Sequence, residues 1–271
     1  MSKRVLITGG ASGLGLALAE QYGAAGHRVL IADLHEPDAV PDGDVSSQRL
    51  DVRVRNDWDR ALRRCETTWG GLDILVNNAG VAAAGRVERL EAVDWDWILD
   101  INLKGTVNGC RTFVPVFKQQ GSGHIVNIAS MAGLLNLPGM VSYNVSKAAV
   151  VSLSETLSQE LAPYGIRTTL VCPGFVRTNL GAKLRSPDPV LARLADRMIM
   201  GGKLTADEVA EQVVTAVAKG RFLALTHPEG RQAVRLKRLL PALLDKQVAK
   251  AWRRTAAKLD EQDRQERERT T

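Results

Sequence analysis

The stretch that decides the fold is VLITGGASGLG, residues 5–15. It begins with an apolar run of strand length, and its glycines lead into a helical pattern that continues to about Ala25. Glycine allows a tight turn and close approach of a ligand, because it has no Cβ. Between a first strand and a first helix, such a turn is typical of a dinucleotide site, with the helix amino terminus facing the pyrophosphate. We predict that Gly9, Gly13 and Gly15 form this site, with Ser12 and Leu14 between them.

Short apolar runs alternate with longer helical patterns along most of the chain. Further strands are predicted at Arg28–Asp33, Gln48–Val52, Asp73–Asn77, Gly123–Ile128, Arg167–Cys172 and Arg221–Thr226. Helices are predicted at about 55–69, 95–118, 143–161 and 206–218. This order favours parallel strands covered on both faces. With right-handed crossovers it predicts a single-domain α/β fold, a doubly wound Rossmann-like sheet of about seven strands over residues 1–227.

Asp33 ends the second predicted strand, 24 residues after Gly9. A carboxylate at this position can accept a hydrogen bond from the adenosine ribose 2′-hydroxyl, and it would repel a 2′-phosphate. The nearest positions carry no phosphate-binding cation, since Ser12 lies in the loop and Leu34 follows Asp33. The pattern therefore favours NAD over NADP. The NADP alternative would need one of three cations to reach the ribose: Lys3, Arg4 or His35.

Tyr143 and Lys147 stand four residues apart in a helical pattern, so their side chains share one face. A free tyrosine has a pKa of about 10, and bringing it to about 7 requires about 4 kcal/mol of preferential stabilisation of the phenolate. A nearby ammonium and a positive nicotinamide ring can both contribute. Ser130 follows the strand GHIVNI, at the edge of the sheet where ligands bind. Together these residues predict hydride exchange between NAD(H) and an alcohol or carbonyl compound, with Tyr143 as acid/base.

Five motifs together resemble the short-chain dehydrogenase/reductase family. They are TGGASGLG at 8–15, NNAG at 77–80, Ser130, YNVSK at 143–147 and Pro173-Gly174. They occur in the family's order and at its usual separations over residues 3–226. The resemblance implies an NAD(P)(H)-dependent oxidoreductase that forms a homodimer or homotetramer.

The resemblance also implies roles for individual residues. Lys147 would bind the nicotinamide ribose, Asn102 would hold a water in a proton relay, and Asp51 would contact adenine. Val176 and Thr178 would hold the nicotinamide carboxamide. The predicted catalytic residues are Asn102, Ser130, Tyr143 and Lys147. With the glycine turn and Asp33 included, the predicted cofactor-binding residues are Gly9, Ser12, Gly13, Leu14, Gly15, Asp33, Asp51, Val52, Asn78, Ala79, Gly80, Tyr143, Lys147, Pro173, Gly174, Val176 and Thr178.

Two apolar segments, residues 131–142 and 180–200, are predicted to form the substrate wall and a mobile lid. Their large apolar side chains favour a hydrophobic small-molecule substrate; the alternative is that they only pack the lid onto the core. They are Leu134, Leu135, Leu137, Met140, Leu184, Val190, Leu191, Leu194, Met198 and Ile199. We expect Arg177, Lys183 and Arg185 to be solvated.

Cysteine usage and the start of the chain indicate a cytoplasmic protein. Cys65, Cys110 and Cys172 are far apart and lack zinc-ligand spacing, so buried free thiols and no metal site are expected. The chain runs from Met1 almost directly into an apolar strand, and no apolar run reaches membrane-spanning length.

Residues 228–271 form a basic amphipathic extension with 12 Lys/Arg against 7 Asp/Glu, which accounts for most of the +6 net charge of the chain. Pro241 should divide it into two helices or open the second, and the polar end from Glu261 should be disordered. We expect its apolar stripe to pack on its own domain or a partner subunit. Peripheral membrane contact is the alternative, and nucleic-acid binding is not expected. A non-catalytic dinucleotide-binding sensor stays open as a second reading of the whole protein.

Overall fold

The computed structural model describes residues 2–177, 181 and 184–270. Its centre is a seven-stranded parallel sheet in the order β3-β2-β1-β4-β5-β6-β9, which confirms the predicted fold class. The strands are β1 Arg4–Thr8, β2 Arg28–Asp33, β3 Val45–Arg49, β4 Ile74–Asn77, β5 Gly123–Ile128, β6 Ile166–Val171 and β9 Leu223–Ala224. A separate parallel pair, β7 Val176–Arg177 and β8 Leu204–Thr205, was not predicted. The strand order reverses at β1 and β4, and in such sheets a ligand crevice opens at this point.

Helices cover both faces of the sheet. They are α1 Gly13–Ala24, α2 Arg55–Trp69, α3 Ala92–Leu99, α4 Gly105–Gln120, α5 Ala132–Leu135, α6 Val141–Leu161, α7 Pro189–Met200, α8 Ala206–Ala218, α9 Pro228–Leu239 and α10 Pro241–Thr270. Val5 and Ile7 of β1 pack towards α1 and α8. Leu6 points to the other face, where Trp58 and Phe113 pack from α2 and α4. This alternation explains why β1 is apolar throughout, since both of its faces are buried.

Three predicted elements differ from the structure, and the last strand is the simplest case, since it is Leu223–Ala224 and not Arg221–Thr226. β3 is Val45–Arg49 and not Gln48–Val52, because it pairs with β2 only as far as Asp33↔Arg49, where β2 ends. The predicted helix at 95–118 is interrupted by a π-helical turn over Asp100–Lys104. π-turns often occur at functional sites, and this one contains Asn102.

The C-terminal extension is helical to Thr270, where the sequence predicted disorder from Glu261. Asp263 accepts hydrogen bonds from Arg86 and Arg89, and Arg86 also pairs with Asp188 at the start of α7. Leu259, only 1% exposed, packs against α7. These contacts order a sequence whose composition alone favours disorder.

Pro241 opens α10, as predicted, and the apolar stripe of the extension is divided between two environments. Val234 and Trp252 pack on the protein's own core, as expected for this stripe. Leu239 and Leu240, at the junction between α9 and α10, are exposed. Among the described residues, no helix combines the length and apolar character needed to cross a bilayer.

Candidate active site

The predicted glycine turn forms one end of a cleft of about 1170 Å³ at the carboxyl edge of the sheet. Gly9 and Gly13 have φ of +63° and +54°, a region that favours glycine. A Cβ at Gly9 would lie 2.8 Å from the Ala79 Cα, and one at Gly15 would lie 2.1 Å from the Gly9 carbonyl oxygen. Glycine therefore allows β1, the turn and α1 to pack closely, and it leaves the backbone open towards the cleft. This cradle suits the pyrophosphate of a dinucleotide.

Thr8 braces the turn against the end of β4, a role that sequence reasoning missed. Its hydroxyl accepts hydrogen bonds from the backbone N–H groups of Asn78 and Ala79 and donates to the Val76 carbonyl. The Asn78 amide donates to the carbonyls of Thr8 and Gly9. These bonds fix Asn78, Ala79 and Gly80 along the cleft wall.

Asp33 lies at the end of β2 with its carboxylate at the cleft. It accepts hydrogen bonds from the backbone N–H groups of Ala11, at 3.0 Å, and His35, at 3.3 Å. Two of the cations of the NADP alternative lie elsewhere: Arg4 stands at the amino end of β1 and pairs with Asp73, and Lys3 precedes it. Of the three, only His35 lines the cleft.

Asp51 and Val52 also line this end of the cleft, after β3. Arg53 chelates the Asp51 carboxylate, with the Nε and Nη2 donors at 2.9 and 2.6 Å. This pairing holds the pKa of Asp51 below its usual value against the effect of burial. Arg53 lines the cleft as well, although nothing in the local sequence marked it.

Tyr143 and Lys147 share one face of α6, and Ser130 faces them from the end of β5. The Lys147 ammonium lies 5.9 Å from the centre of the Tyr143 ring and donates to the Ile128 carbonyl at 3.0 Å. Burial lowers the pKa of Lys147 to about 8. Burial raises the pKa of Tyr143, and its hydrogen bond with Ser130 opposes the rise. A general base at neutral pH needs a Tyr143 pKa below its ordinary value, whereas burial in the protein moves this pKa upwards.

Asn102 does not line the cleft but lies fully buried behind it, on the π-helical turn. Its amide donates to the Val81 carbonyl and to the Ser146 hydroxyl, and its oxygen accepts from the Val81 N–H. A Cβ at Gly80 would lie 3.2 Å from the Asn102 oxygen and 3.3 Å from the Lys147 nitrogen. Asn102 therefore ties the cleft wall to α6 directly beside the ammonium.

His227 holds the turn that follows β6. Its Nδ1 accepts from the Gly174 N–H at 3.0 Å, and its Nε2 lies 3.2 Å from the Phe175 carbonyl. These contacts require a neutral ring with the proton on Nε2. Pro173, Gly174 and Val176 line the cleft here, and Thr178 lies outside the described residues. His227 follows the last strand at the carboxyl edge, a position that could mark it as a candidate, but its contacts with Gly174 and Phe175 come only from the fold.

The two segments predicted to form the substrate wall contribute only some of their side chains to the cleft. Nine apolar side chains from these segments line it: Met131, Ala132, Leu135, Leu137, Met140, Leu184, Ala195, Met198 and Ile199. By contrast, Leu134 packs on the core and Val190 and Leu191 pack towards α10. The extension also contributes to the cleft, through Glu229, Gly230 and Ala233 of α9.

The structure brings most of the predicted site residues to one cleft. Besides Asn102, only Gly15 among the described ones is absent from its lining, and Gly15 acts through the packing of α1 on the turn. The cleft thus joins a dinucleotide cradle to a tyrosine, a serine and a buried lysine. All three cysteines are buried and free, as predicted.

Comparison with known proteins agrees with this geometry. A family model described as short chain dehydrogenase matches residues 3–189. The chain belongs to the short-chain dehydrogenase/reductase family. It is 34% identical to a CLA biosynthesis dehydrogenase/reductase of Lactiplantibacillus plantarum, over 88% of this chain and 93% of that protein. It is 35% identical to the 2-(R)-hydroxypropyl-CoM dehydrogenase of Xanthobacter autotrophicus, over 77% of this chain and 90% of that protein.

A solved member of the family has the same fold. The short-chain dehydrogenase/reductase of Burkholderia phymatum in complex with NAD superposes with a TM-score of 0.80 at 34% identity, covering 89% of this chain and 95% of that one. The chain is therefore an NAD(P)-dependent oxidoreductase of the alcohol/ketone type.

Proposed function

We propose that this oxidoreductase interconverts a hydrophobic secondary alcohol and its ketone with NAD(H), and that Tyr143 is its acid/base. One observation carries the proposal: the Tyr143 and Ser130 side chains and the Lys147 ammonium meet in the cleft that begins at the glycine turn. The glycine turn, Asp33 and Asn78 give one part of that cleft the polar groups that suit a dinucleotide. Another part is lined mainly by apolar side chains and suits the substrate.

The nicotinamide, when bound, supplies or accepts the hydride. Tyr143 takes the hydroxyl proton of the alcohol during oxidation and returns it during reduction. Ser130 donates a hydrogen bond to the substrate oxygen and holds it beside the Tyr143 hydroxyl. Because burial raises the pKa of Tyr143, positive charge is needed to form the phenolate. Lys147, held by the Ile128 carbonyl, is the fixed positive charge within the site.

The residues around the adenosine end support NAD as the preferred cofactor. The Asp33 carboxylate, fixed by two backbone N–H groups, has an acceptor for the ribose 2′-hydroxyl and a charge that repels a 2′-phosphate. Arg53 is the cation in this part of the cleft, and its guanidinium is already engaged by Asp51. The backbone of the glycine turn would hold the pyrophosphate, and Lys147 the nicotinamide ribose.

The proposal also includes the compartment and the oligomeric state of the protein. Three buried free thiols fit a reducing compartment, and we expect a cytoplasmic homodimer or homotetramer. The relative from Xanthobacter is named for a secondary alcohol, which accords with the proposed substrate type.

The test is a turnover screen that follows the absorbance of the reduced nicotinamide. Hydrophobic alcohols and ketones are offered with NAD(H) and NADP(H) side by side, to the wild type and to Tyr143→Phe. Tyr164→Phe is the matched control, since Tyr164 is exposed and outside the cleft. We expect turnover that prefers NAD(H), survives in Tyr164→Phe and is lost in Tyr143→Phe. Undiminished turnover in Tyr143→Phe would refute the assignment.

A further inference from the structure

Arg185 lines the cleft with an exposed side chain, and its backbone is hydrogen-bonded to the cleft wall. Its backbone N–H donates to the Ala82 carbonyl and its carbonyl accepts from the Ala84 N–H, so the segment runs beside Ala83 like a short strand pair. Ala82 and Ala83 line the same cleft. The side chain therefore starts from a fixed backbone position at the cleft wall.

The Arg185 guanidinium lies over the face of the Trp97 ring, with 4.0 Å between its central carbon and the ring centre. Trp97 lines the cleft as well. A stacked guanidinium keeps its in-plane N–H donors free for another group, because the ring contacts only its face. The stacking thus orients the donors without using them.

Arg185 differs from the other cationic Lys and Arg side chains that line the cleft. Arg53 is chelated by Asp51, Lys203 lies 3.7 Å from Glu229, and Lys147 donates to the Ile128 carbonyl. Across the described part of the chain, no side chain forms a hydrogen bond or ion pair with the Arg185 guanidinium. Arg185 is exposed to solvent, as expected, and it also stacks on Trp97 at the cleft wall.

The Trp97 ring on which Arg185 stacks belongs to an apolar cluster with Met140 and Leu184. Met140, Leu184 and Met198 line the same end of the cleft. An unpaired guanidinium beside an apolar channel is a good partner for an amphipathic molecule with an anionic end, since its fork of donors matches a carboxylate or phosphate.

We propose that Arg185 binds the anionic group, a carboxylate or a phosphate, of a substrate whose aliphatic part fills the apolar cleft and presents its hydroxyl to Tyr143. The proposal rests on the proposed function and narrows its substrate class. The substrate is thus a secondary hydroxy or oxo compound with an aliphatic chain and an acidic terminus. Arg185 sets specificity and takes no part in proton or hydride transfer.

The test compares matched substrates in matched variants. Secondary hydroxy fatty acids with increasing separation between hydroxyl and carboxylate are assayed beside their methyl esters. A third arm uses diol monophosphates, with the phosphate in place of the carboxylate. The variants are Arg185→Gln and Arg185→Lys, and the control is Arg193→Gln, an exposed arginine of α7 that does not line the cleft.

We expect the wild type to prefer the anionic substrates over the esters by about tenfold in kcat/KM, a usual effect of one charge-assisted contact. Arg185→Gln should raise KM for the anionic substrates about tenfold and leave the esters unchanged, and Arg185→Lys should recover part of the loss. The better of the acid and phosphate arms identifies the anion. Equal losses for acids and esters, or no loss in Arg185→Gln, would overturn the proposal.

A binding measurement separates this proposal from the proposed function. Calorimetry with dodecanoate, dodecyl phosphate and dodecanol, in the presence of NADH, requires no turnover. Tighter binding of an anion than of the alcohol, lost in Arg185→Gln, supports the Arg185 site even if no alcohol is oxidised. Equal binding of all three by the wild type contradicts it, even if hydrophobic alcohols are oxidised.

Discussion

Replacing Lys147 by Met should stabilise the protein at neutral pH while it removes activity. Lys147 is 4% exposed, and burial lowers its pKa from 10.5 to about 8. Holding the ammonium in this site costs about 3 kcal/mol relative to the unfolded chain, at 1.36 kcal/mol for each tenfold change in proton affinity. Losing its hydrogen bond to the Ile128 carbonyl offsets about 1 kcal/mol. The net expectation is a gain of about 2 kcal/mol in the free energy of unfolding.

The gain should depend on pH in a defined direction. Below about pH 8 the wild type carries the full cost of the buried charge. Between about 8 and 10.5 the unfolded chain binds more protons than the folded protein, so wild-type stability rises relative to the variant. The advantage of Lys147→Met therefore shrinks across this window and disappears towards its upper end.

Urea unfolding at fixed protein concentration, from neutral pH to about pH 10, measures both effects. Lys250→Met is the control, because Lys250 is exposed on α10 and should show neither effect. A Lys147→Met protein that is less stable than the wild type at neutral pH, by an amount independent of pH, would refute the reasoning.

Three other substitutions test the cofactor preference, the packing of α10 and the turn held by His227. Asp33→Asn should raise the KM for NAD about tenfold and improve the use of NADP, because it removes a charge beside the ribose. Steady-state kinetics with both cofactors measures this change. The control variant Asp42→Asn should change neither value. Leu259→Ala should lower the free energy of unfolding, measured in urea, by about 2–4 kcal/mol. The control Leu239→Ala, at a site 76% exposed, should lower it by less than about 0.5 kcal/mol. Equal losses would mean that α10 does not pack on α7. His227→Phe should weaken NADH binding in fluorescence titrations, because the Gly174 turn loses both of its contacts with the ring; an unchanged Kd would show that the turn is held by other contacts.

The local sequence was sufficient to predict those site residues whose geometry is determined by a single element. The glycine turn, Asp33 and the Tyr143–Lys147 pair follow from strand ends and helix spacing, and the structure brings them to one cleft. β3 was misplaced because its bounds depend on its pairing register with β2, from Val29↔Val45 to Asp33↔Arg49, which no local pattern encodes. The helical end of α10 could not be predicted from local sequence either, because it depends on contacts with Arg86, which lies far away in the sequence.

Residues that act through distant partners were the hardest to predict. Thr8 and His227 are ordinary in their own segments, and their roles appear only when β4 and the turn after β6 lie beside them. Arg185 shows the same limit, because its stacking on Trp97 joins residues far apart in the chain.

The most direct test of the central claim is the rate of hydride transfer in Tyr143→Phe during a single turnover. The variant is saturated with NAD and mixed with the best alcohol from the screen, and its Kd for NADH is measured by fluorescence. We predict a Kd close to that of the wild type and a transfer rate lower by about 10²–10⁴-fold, the usual contribution of a positioned acid/base. An unchanged Kd with an unchanged rate would show that the cleft binds the dinucleotide without using Tyr143 as its acid/base.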